Sequence, residues 1–288
     1  MRIIPDSEFI INSDGSAFHL HITPDQLSDK IVMMGDPGRV TMTASFFDTI
    51  ECDIQSREFH TVTGNYKGKR ITALSHGIGT DNIDIVVTEL DALANIDFNT
   101  KTVKDELKQL TMVRIGTSGG MQPHCPTGSY VVSEKSIGFD GLLHYYADSK
   151  DIRDEEFELA FQKHVNWSPF HCSPYVVNSD EELIDRIGHD MIKGVTITAI
   201  GFYGPQGRHV RLSLSDPGLN SKIETFRYEG HTITNCEMES SALAGLSRLM
   251  GHKAMTVSTI INNRIALDSN SEYKGTMEDL IKTVLDRI

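Results

Sequence analysis

Cysteine is scarce and scattered: Cys52, Cys125, Cys172 and Cys236 are the only four in 288 residues. None forms a Cys-x-x-Cys pair, so neither a disulfide framework nor a thiolate zinc site is predicted, and reduced thiols suit a cytoplasmic protein. Twelve histidines include no His-Glu-x-x-His, and the His-Cys neighbours at 124–125 and 171–172 lack ligand spacing, so no metal is predicted. A P-loop, Gly-x-x-x-x-Gly-Lys-Ser/Thr, is missing too. No apolar run approaches the roughly 20 residues that span a bilayer. The first residues lack the apolar stretch of a secretory signal. A soluble cytoplasmic protein with no membrane partner is therefore expected. Basic charge is also short. The formal net charge of −13 argues against nucleic acid, which calls for a basic face. An anionic ligand would need a local cluster of arginines working against the global field.

Internal repeats and low-complexity tracts are absent as well. What is present is a rhythm of short apolar runs, Gly-rich turns and helical periodicity. Ile31 to Met34 leads into Gly35-Asp36-Pro37-Gly38, and Ile71 to Leu74 into His76-Gly77-Ile78-Gly79. Met112 to Ile115 leads into Gly116-Thr117-Ser118-Gly119-Gly120, and Val257 to Ile261 ends at Asn262-Asn263-Arg264. This is the pattern of an α/β protein, in which ligands gather at the carboxyl ends of strands. Asp81 or Asn82 is expected to cap a helix with apolar positions Ile83, Val86, Val87, Leu90, Leu93 and Ala94. A second helix follows Glu239, with Ala242, Leu246, Leu249 and Met250 on one face and Gly251 as its stop. Residues 99–109 read as a polar surface excursion, and 148–158 as a solvated helix or loop. Core-like segments continue on both sides of each, so one domain over 1–288 is expected.

Four places carry candidate chemistry. Gly35 to Arg39 offers backbone donors and a guanidinium for an anion, although Asp-Pro-Gly is also plain turn chemistry. Arg114 lies inside an apolar strand, where a charge costs several kcal/mol unless paired or facing a polar cavity. A structural salt bridge and an anion site both answer that requirement. Glu237 and Glu239, two residues apart, are not read as a carboxylate pair facing one bond. Either can accept both hydroxyls of a diol, or simply supply acidic charge at a helix start. Gly201 to Arg208 places aromatics, Gln206 and Arg208 around a Gly/Pro turn, suited to stacking on a planar base and reading its edge, or to an ordinary surface loop.

In this order, these segments resemble the uridine phosphorylases of the nucleoside phosphorylase superfamily. The resemblance spans about 18–264, clearest at 35–40, 57–59, 77–79, 114–123, 202–208, 237–241 and 260–264. It implies a single domain with a central twisted mixed β-sheet flanked by helices. It further implies that Gly35, Arg39, Arg114 and Thr117 hold phosphate, joined by Arg57 from a neighbouring subunit. His19 of that neighbour would reach the ribose 5′-hydroxyl, and Met238 and Glu239 would contact the ribose, Glu239 at the 2′/3′ diol. Phe202, Gln206 and Arg208 would bind uracil, with Ser118, Gly119 and Ile261 lining the same pocket. Phosphate would attack C1′ while Arg208 and Gln206 stabilise charge building on the leaving base. Arg114 would fix the anion.

No metal or organic cofactor is implied, only inorganic phosphate as co-substrate, and a homo-oligomer with sites shared between two subunits. Purine-cleaving relatives carry a Ser-Asp pair where this chain reads Ile260 to Arg264, which favours a pyrimidine. Asn82 replaces the Ser that some bacterial members associate with an interface potassium ion, so that ion is not predicted. Residues 99–109 resemble the longer animal-type arrangement, leaving dimer and hexamer open. Gly204-Pro205 reverses the commoner order, with consequences for Gln206 and for the choice among uridine, thymidine and deoxyuridine. Purine phosphorolysis, a nucleosidase and a non-catalytic nucleoside-binding protein are the alternatives.

Overall fold

Strands and helices alternate along the computed structural model, which describes residues 2–263, 265, 268–269 and 272–288. Arg264, at the end of the 260–264 segment, lies outside them. The first half runs β1 (Lys30–Met34), α1 (Pro37–Ala44), β2 (Thr49–Ser56), β3 (Phe59–Tyr66), β4 (Lys69–Ser75), α2 (Thr80–Asn95), β5 (Ile96–Asp97), β6 (Thr102–Val103), β7 (Thr111–Gly120) and β8 (Tyr130–Gly138). There follow α3 (Glu155–Val165), β9 (Tyr175–Asn178), α4 (Glu181–Ile187), β10 (Ile192–Thr198), α5 (Leu219–Thr225), β11 (Arg227–Tyr228), β12 (His231–Glu237), α6 (Ser240–Leu249), β13 (Lys253–Asn263), β14 (Asp268–Ser269) and α7 (Lys274–Arg287).

At the centre, β1 pairs in parallel with both β4 and β7, and β7 in parallel with β13. The sheet continues outward through the antiparallel strands β3 and β2 on one side. On the other it runs through β8, β10 and β12. β12 then returns to β7, with Asn235 opposite Gly120 and Cys236 opposite Gly119. The five strands β7, β13, β8, β10 and β12 therefore close on themselves. This is a mixed α/β sheet, and its carboxyl ends at β1, β4 and β7 lie side by side.

Alternation along β1 shows how the layers are held. Ile31 and Met33 pack with α2 and α6 on one face. Val32 and Met34 pack with α1, α4 and α7 on the other. Successive side chains of a strand point to opposite faces, so a strand covered on both sides is apolar throughout. A third cluster sets α3 and α5 over β10 and β12 through Phe157, Phe161, Ile223, Val195 and Ile233. Among the described residues no helix is long and apolar enough to cross a membrane.

The expected α2 face is buried at Ile83, Val86, Val87, Leu90, Leu93 and Ala94. Its cap is Gly79, so Asp81 and Asn82 lie within the first turn instead of capping it. Residues 148–158 also differ from expectation. Asp154 caps α3, which buries Phe157, Phe161 and Val165. Glu158 is buried too, where its carboxylate accepts from Arg153 and the Val176 N–H. The acidic composition hid a helix whose one apolar face is fully used. Gly116 to Gly120 is strand, not turn, because β13 pairs along it to Asn263, with a register shift that skips Ile261; tertiary pairing overrides the glycines' weak strand preference.

Candidate active site

Arg114 points out of β7 into the space between the ends of β4 and β12. Its Nε donates to His76 Nε2 at 3.1 Å, its Nη1 donates to Glu237 Oε2 at 2.7 Å, and its Nη2 pairs with Glu239. The side chain is 4% exposed, against 2% for Glu237 and 7% for Glu239. The salt bridge and the anion site are thus compatible, since three of five guanidinium donors are used internally and two remain. Gly116 makes this pose possible: a Cβ there would lie 2.8 Å from Arg114 Nη1 and 2.9 Å from Ser258 Oγ.

Glu237 and Glu239 reach the same guanidinium, against the expectation that they do not form a facing pair, because alternate residues of an extended chain share a face. β12 ends at Glu237, and Glu239 begins the turn into α6 with φ −141° and ψ −25°. Glu237 accepts from the N–H groups of Glu239 and Ser240, at 3.0 Å each on Oε2, and so does the capping of α6. Glu239 Oε1 accepts from the Gly79 N–H at 2.8 Å, joining the start of α2 to the cluster. Desolvation raises the Glu239 pKa above its ordinary value, with Glu237 adding to the rise and Arg114 opposing it.

Arg39 comes from the first turn of α1, which Asp36 caps through the Gly38 N–H at 2.8 Å. Its side chain is 14% exposed and only 3.9 Å from Asp36 at its nearest ionic contact. Arg39 Nη1 is buried without a hydrogen-bond partner among the described residues. Burial lowers its pKa, as does Arg114, while Tyr273, Asp36 and Glu239 oppose the shift. Gly35 precedes this turn, and a Cβ at that position would sit 3.0 Å from the Gly77 carbonyl. Gly35, Arg39, Arg114 and Glu239 thus converge at the strand ends. Thr117 lies further along β7, half-buried and level with Thr259 of β13.

The candidate base residues gather beyond that point. Gly119, Met121, Phe139, Ile197, Pro205 and Gln206 line one recess. The Arg208 guanidinium stacks 3.7 Å above the Phe202 ring, and its Nη1 donates to the Phe202 carbonyl at 2.6 Å and to Gln206 Oε1. Phe202, Gln206 and Arg208 therefore form one unit, with Gln206 buried and Phe202 half exposed. Ser118 is buried, and its hydroxyl donates to the Cys236 carbonyl and accepts from Asn235, so its side chain is engaged between β7 and β12. Ile261 and Met238 are half-buried, and beside Ile261 the Asn262 side chain closes on Gly119.

His19 and Arg57 are not part of this convergence. Both lie against Phe18 instead, which packs edge-on against His19 and has the Arg57 guanidinium 5.6 Å from its ring centre. His19 Nδ1 bonds Glu89 Oε1 at 2.6 Å. Glu89 lies ten residues along α2 from Gly79, about 15 Å at 1.5 Å per residue. Arg57, at the exposed β2–β3 turn, has φ 55°.

Two partners of Arg114 escaped the sequence reading of roles. Glu237 was visible as a carboxylate but not as Arg114's partner. His76 was visible only as a histidine between a strand and a glycine, and carried no signal beyond standing at the end of an apolar run.

A family model described as the phosphorylase superfamily matches residues 29–286. The uridine phosphorylase of Escherichia coli is 28% identical over 278 residues, 95% of this chain and 97% of that one. A purine nucleoside phosphorylase of Colwellia psychrerythraea is 24% identical over 282 residues, 94% of this chain and 98% of that one. Among solved structures, a Trypanosoma brucei nucleoside phosphorylase described as showing uridine phosphorylase activity superposes with a TM-score of 0.89 at 26% identity, covering 97% of this chain and 98% of that one. With the sheet, the glycine turns and the buried arginines all falling inside the matched span, the chain belongs to the phosphorylase superfamily.

Proposed function

We propose that the chain cleaves uridine, or a related pyrimidine nucleoside, with inorganic phosphate, releasing uracil and ribose 1-phosphate, with no metal or organic cofactor. The observation that carries this reading is the buried Arg39 guanidinium, whose Nη1 has no hydrogen-bond partner among the described residues and which lies close enough to Arg114 to feel its charge. A buried, underpaired cation is costly unless an anion completes it. Relatives named uridine phosphorylase align over nearly the whole chain, which supports the choice of reaction. Four scattered cysteines with no Cys-x-x-Cys pair suit the cytoplasm.

In this reading Gly35, Arg39, Arg114 and Thr117 hold phosphate beneath C1′, helped by Arg57 from a second copy of the chain in a homo-oligomer. Glu239 has one lone pair engaged on each oxygen, by Gly79 and by Arg114. One lone pair on each remains, which matches the vicinal 2′/3′ diol. Met238 packs against the ribose, and His19 of the second copy reaches its 5′ end. As the C1′–N1 bond stretches, the ribose gains oxocarbenium character and electron density passes to the uracil carbonyls. Arg208 and Gln206, with Phe202 and the Ser118, Gly119 and Ile261 wall, are arranged to stabilise that charge as it forms. Uridine and inosine consumption, each with and without phosphate, tests the proposal. Phosphate-dependent loss of uridine is expected; phosphate-independent cleavage, or inosine cleaved faster than uridine, would overturn it.

A further inference from the structure

Three different nitrogens of Arg114 are each held by a different acceptor, and only two of those acceptors are charged. Glu237 and Glu239 hold Nη1 and Nη2. Two anchors along one edge define an axis about which a planar guanidinium can still pivot. The third, His76 Nε2 on Nε at 3.1 Å, stops the pivot. We infer that His76 is a positioning residue for phosphate, setting the plane of Arg114 so that its two remaining donors face the anion. This rests on the phosphate reading of Arg39 and Arg114.

The choice of histidine has a physical reason. A third carboxylate at this point would hold Nε equally well, but it would add negative charge where a phosphate must approach. A neutral imidazole supplies the lone pair without the charge. An imidazolium could not accept from Nε–H at all, so the observed bond requires the neutral ring, with its proton on Nδ1. Full burial, and then the fields of Arg114 and Arg39, hold the His76 pKa well below the ordinary histidine value. The backbone that carries the ring is held to β1, where the His76 main-chain N–H donates to the Met34 carbonyl at 2.9 Å, while the ring's Nδ1 is buried without a hydrogen-bond partner among the described residues.

The test is phosphate affinity, measured by calorimetry on the full chain with inorganic phosphate as the titrant and no nucleoside present. Wild type, His76→Leu, His76→Gln and His76→Asn are compared. Glutamine extends its amide to about the place of Nε2, whereas asparagine reaches only that of Nδ1. Wild type and His76→Gln are expected to agree within about threefold, and His76→Leu and His76→Asn to bind phosphate at least roughly tenfold more weakly, the scale of one lost charge-assisted bond. In turnover, the loss should fall on the KM for phosphate more than on the KM for nucleoside. Should His76→Leu fail to fold, the Gln and Asn variants decide alone, because both retain a polar group. Equal phosphate affinity in the Gln and Asn variants overturns the inference, as does a wild type that binds no phosphate. A wild type that binds phosphate through His76 but leaves uridine intact supports the inference while removing the proposed substrate.

Discussion

Arg114 Nη1 and Glu237 Oε2 stand 2.7 Å apart although 123 positions separate them in the chain, and the bond joins β7 to the last residue of β12. Both side chains are almost wholly buried. A buried ion pair of this kind gains little net stability over an apolar pair of the same volume, yet breaking it strands a charge. Glu237 also accepts from the first amides of α6 and from the hydroxyls of Thr198 and Ser240. The pair therefore registers β7, β10, β12 and α6 against one another at the point where phosphate is proposed to bind.

That contrast separates the two arginines. Arg114→Met should destabilise the fold by about 3–5 kcal/mol, since Glu237 and Glu239 lose their shared cation. Arg39→Met removes a guanidinium whose buried Nη1 has no partner among the described residues, and should change stability by no more than about 1 kcal/mol while weakening phosphate roughly 10- to 100-fold. Urea unfolding and phosphate titration of both variants measure this. Similar stability losses in the two would contradict the assignment.

How much of this was legible in the sequence follows from where each signal resides. The strands at Ile31, Ile71, Met112 and Val257 could be read because both faces are covered and the apolar runs are unbroken. Arg114 stood out because a charge inside such a run demands an explanation. The strand through Gly116 to Gly120 could not be read, because it depends on β13 lying alongside. The helix α3 was obscured by its acidic exposed face. Glu237 and Glu239 are spaced to share a strand face, but nothing local showed that one guanidinium from β7 would lie against both. His76 was silent because nothing local distinguishes a histidine that accepts from a buried arginine from one at the surface.

The stacked unit of Phe202, Gln206 and Arg208 predicts non-additive effects. Arg208→Ala should lower the uridine kcat roughly 100-fold, by removing charge stabilisation of the leaving base. Because Arg208 donates to Gln206 Oε1, Gln206→Ala in that background should cost much less than Gln206→Ala alone. A double-mutant cycle with uridine measures the coupling. Additive losses would mean that the two residues act separately on the base.

Arg57 and His19 lie together but away from the Arg39 and Arg114 cluster, an arrangement suited to serving the site of a second copy. Arg57→Ala and Arg39→Ala should each be nearly inactive. Unfolded together and refolded as a mixture, they should recover about a quarter of the wild-type rate, since half of randomly paired dimers carry one intact site. No recovery, in a mixture shown to form hybrid dimers, would place Arg57 outside the site.

The buried state of His76 predicts a pH dependence of stability with a definite sign. Burial, and then Arg114 and Arg39, push its folded pKa well below 6.5, whereas the unfolded chain titrates near that ordinary value. Below pH 6.5 the unfolded state therefore binds a proton that the folded state refuses. The stabilisation is complete above that pH and is lost as the pH falls, by roughly 1.4 kcal/mol per unit for one proton. His76→Gln cannot titrate, so its unfolding free energy should fall less steeply by about that amount over the same window. Urea midpoints for both proteins at about pH 7.5, 6 and 5 decide the matter. Parallel slopes would mean that His76 takes up its proton in the folded protein as readily as in the unfolded chain, and then its ring could not be the neutral acceptor that holds Arg114 in place.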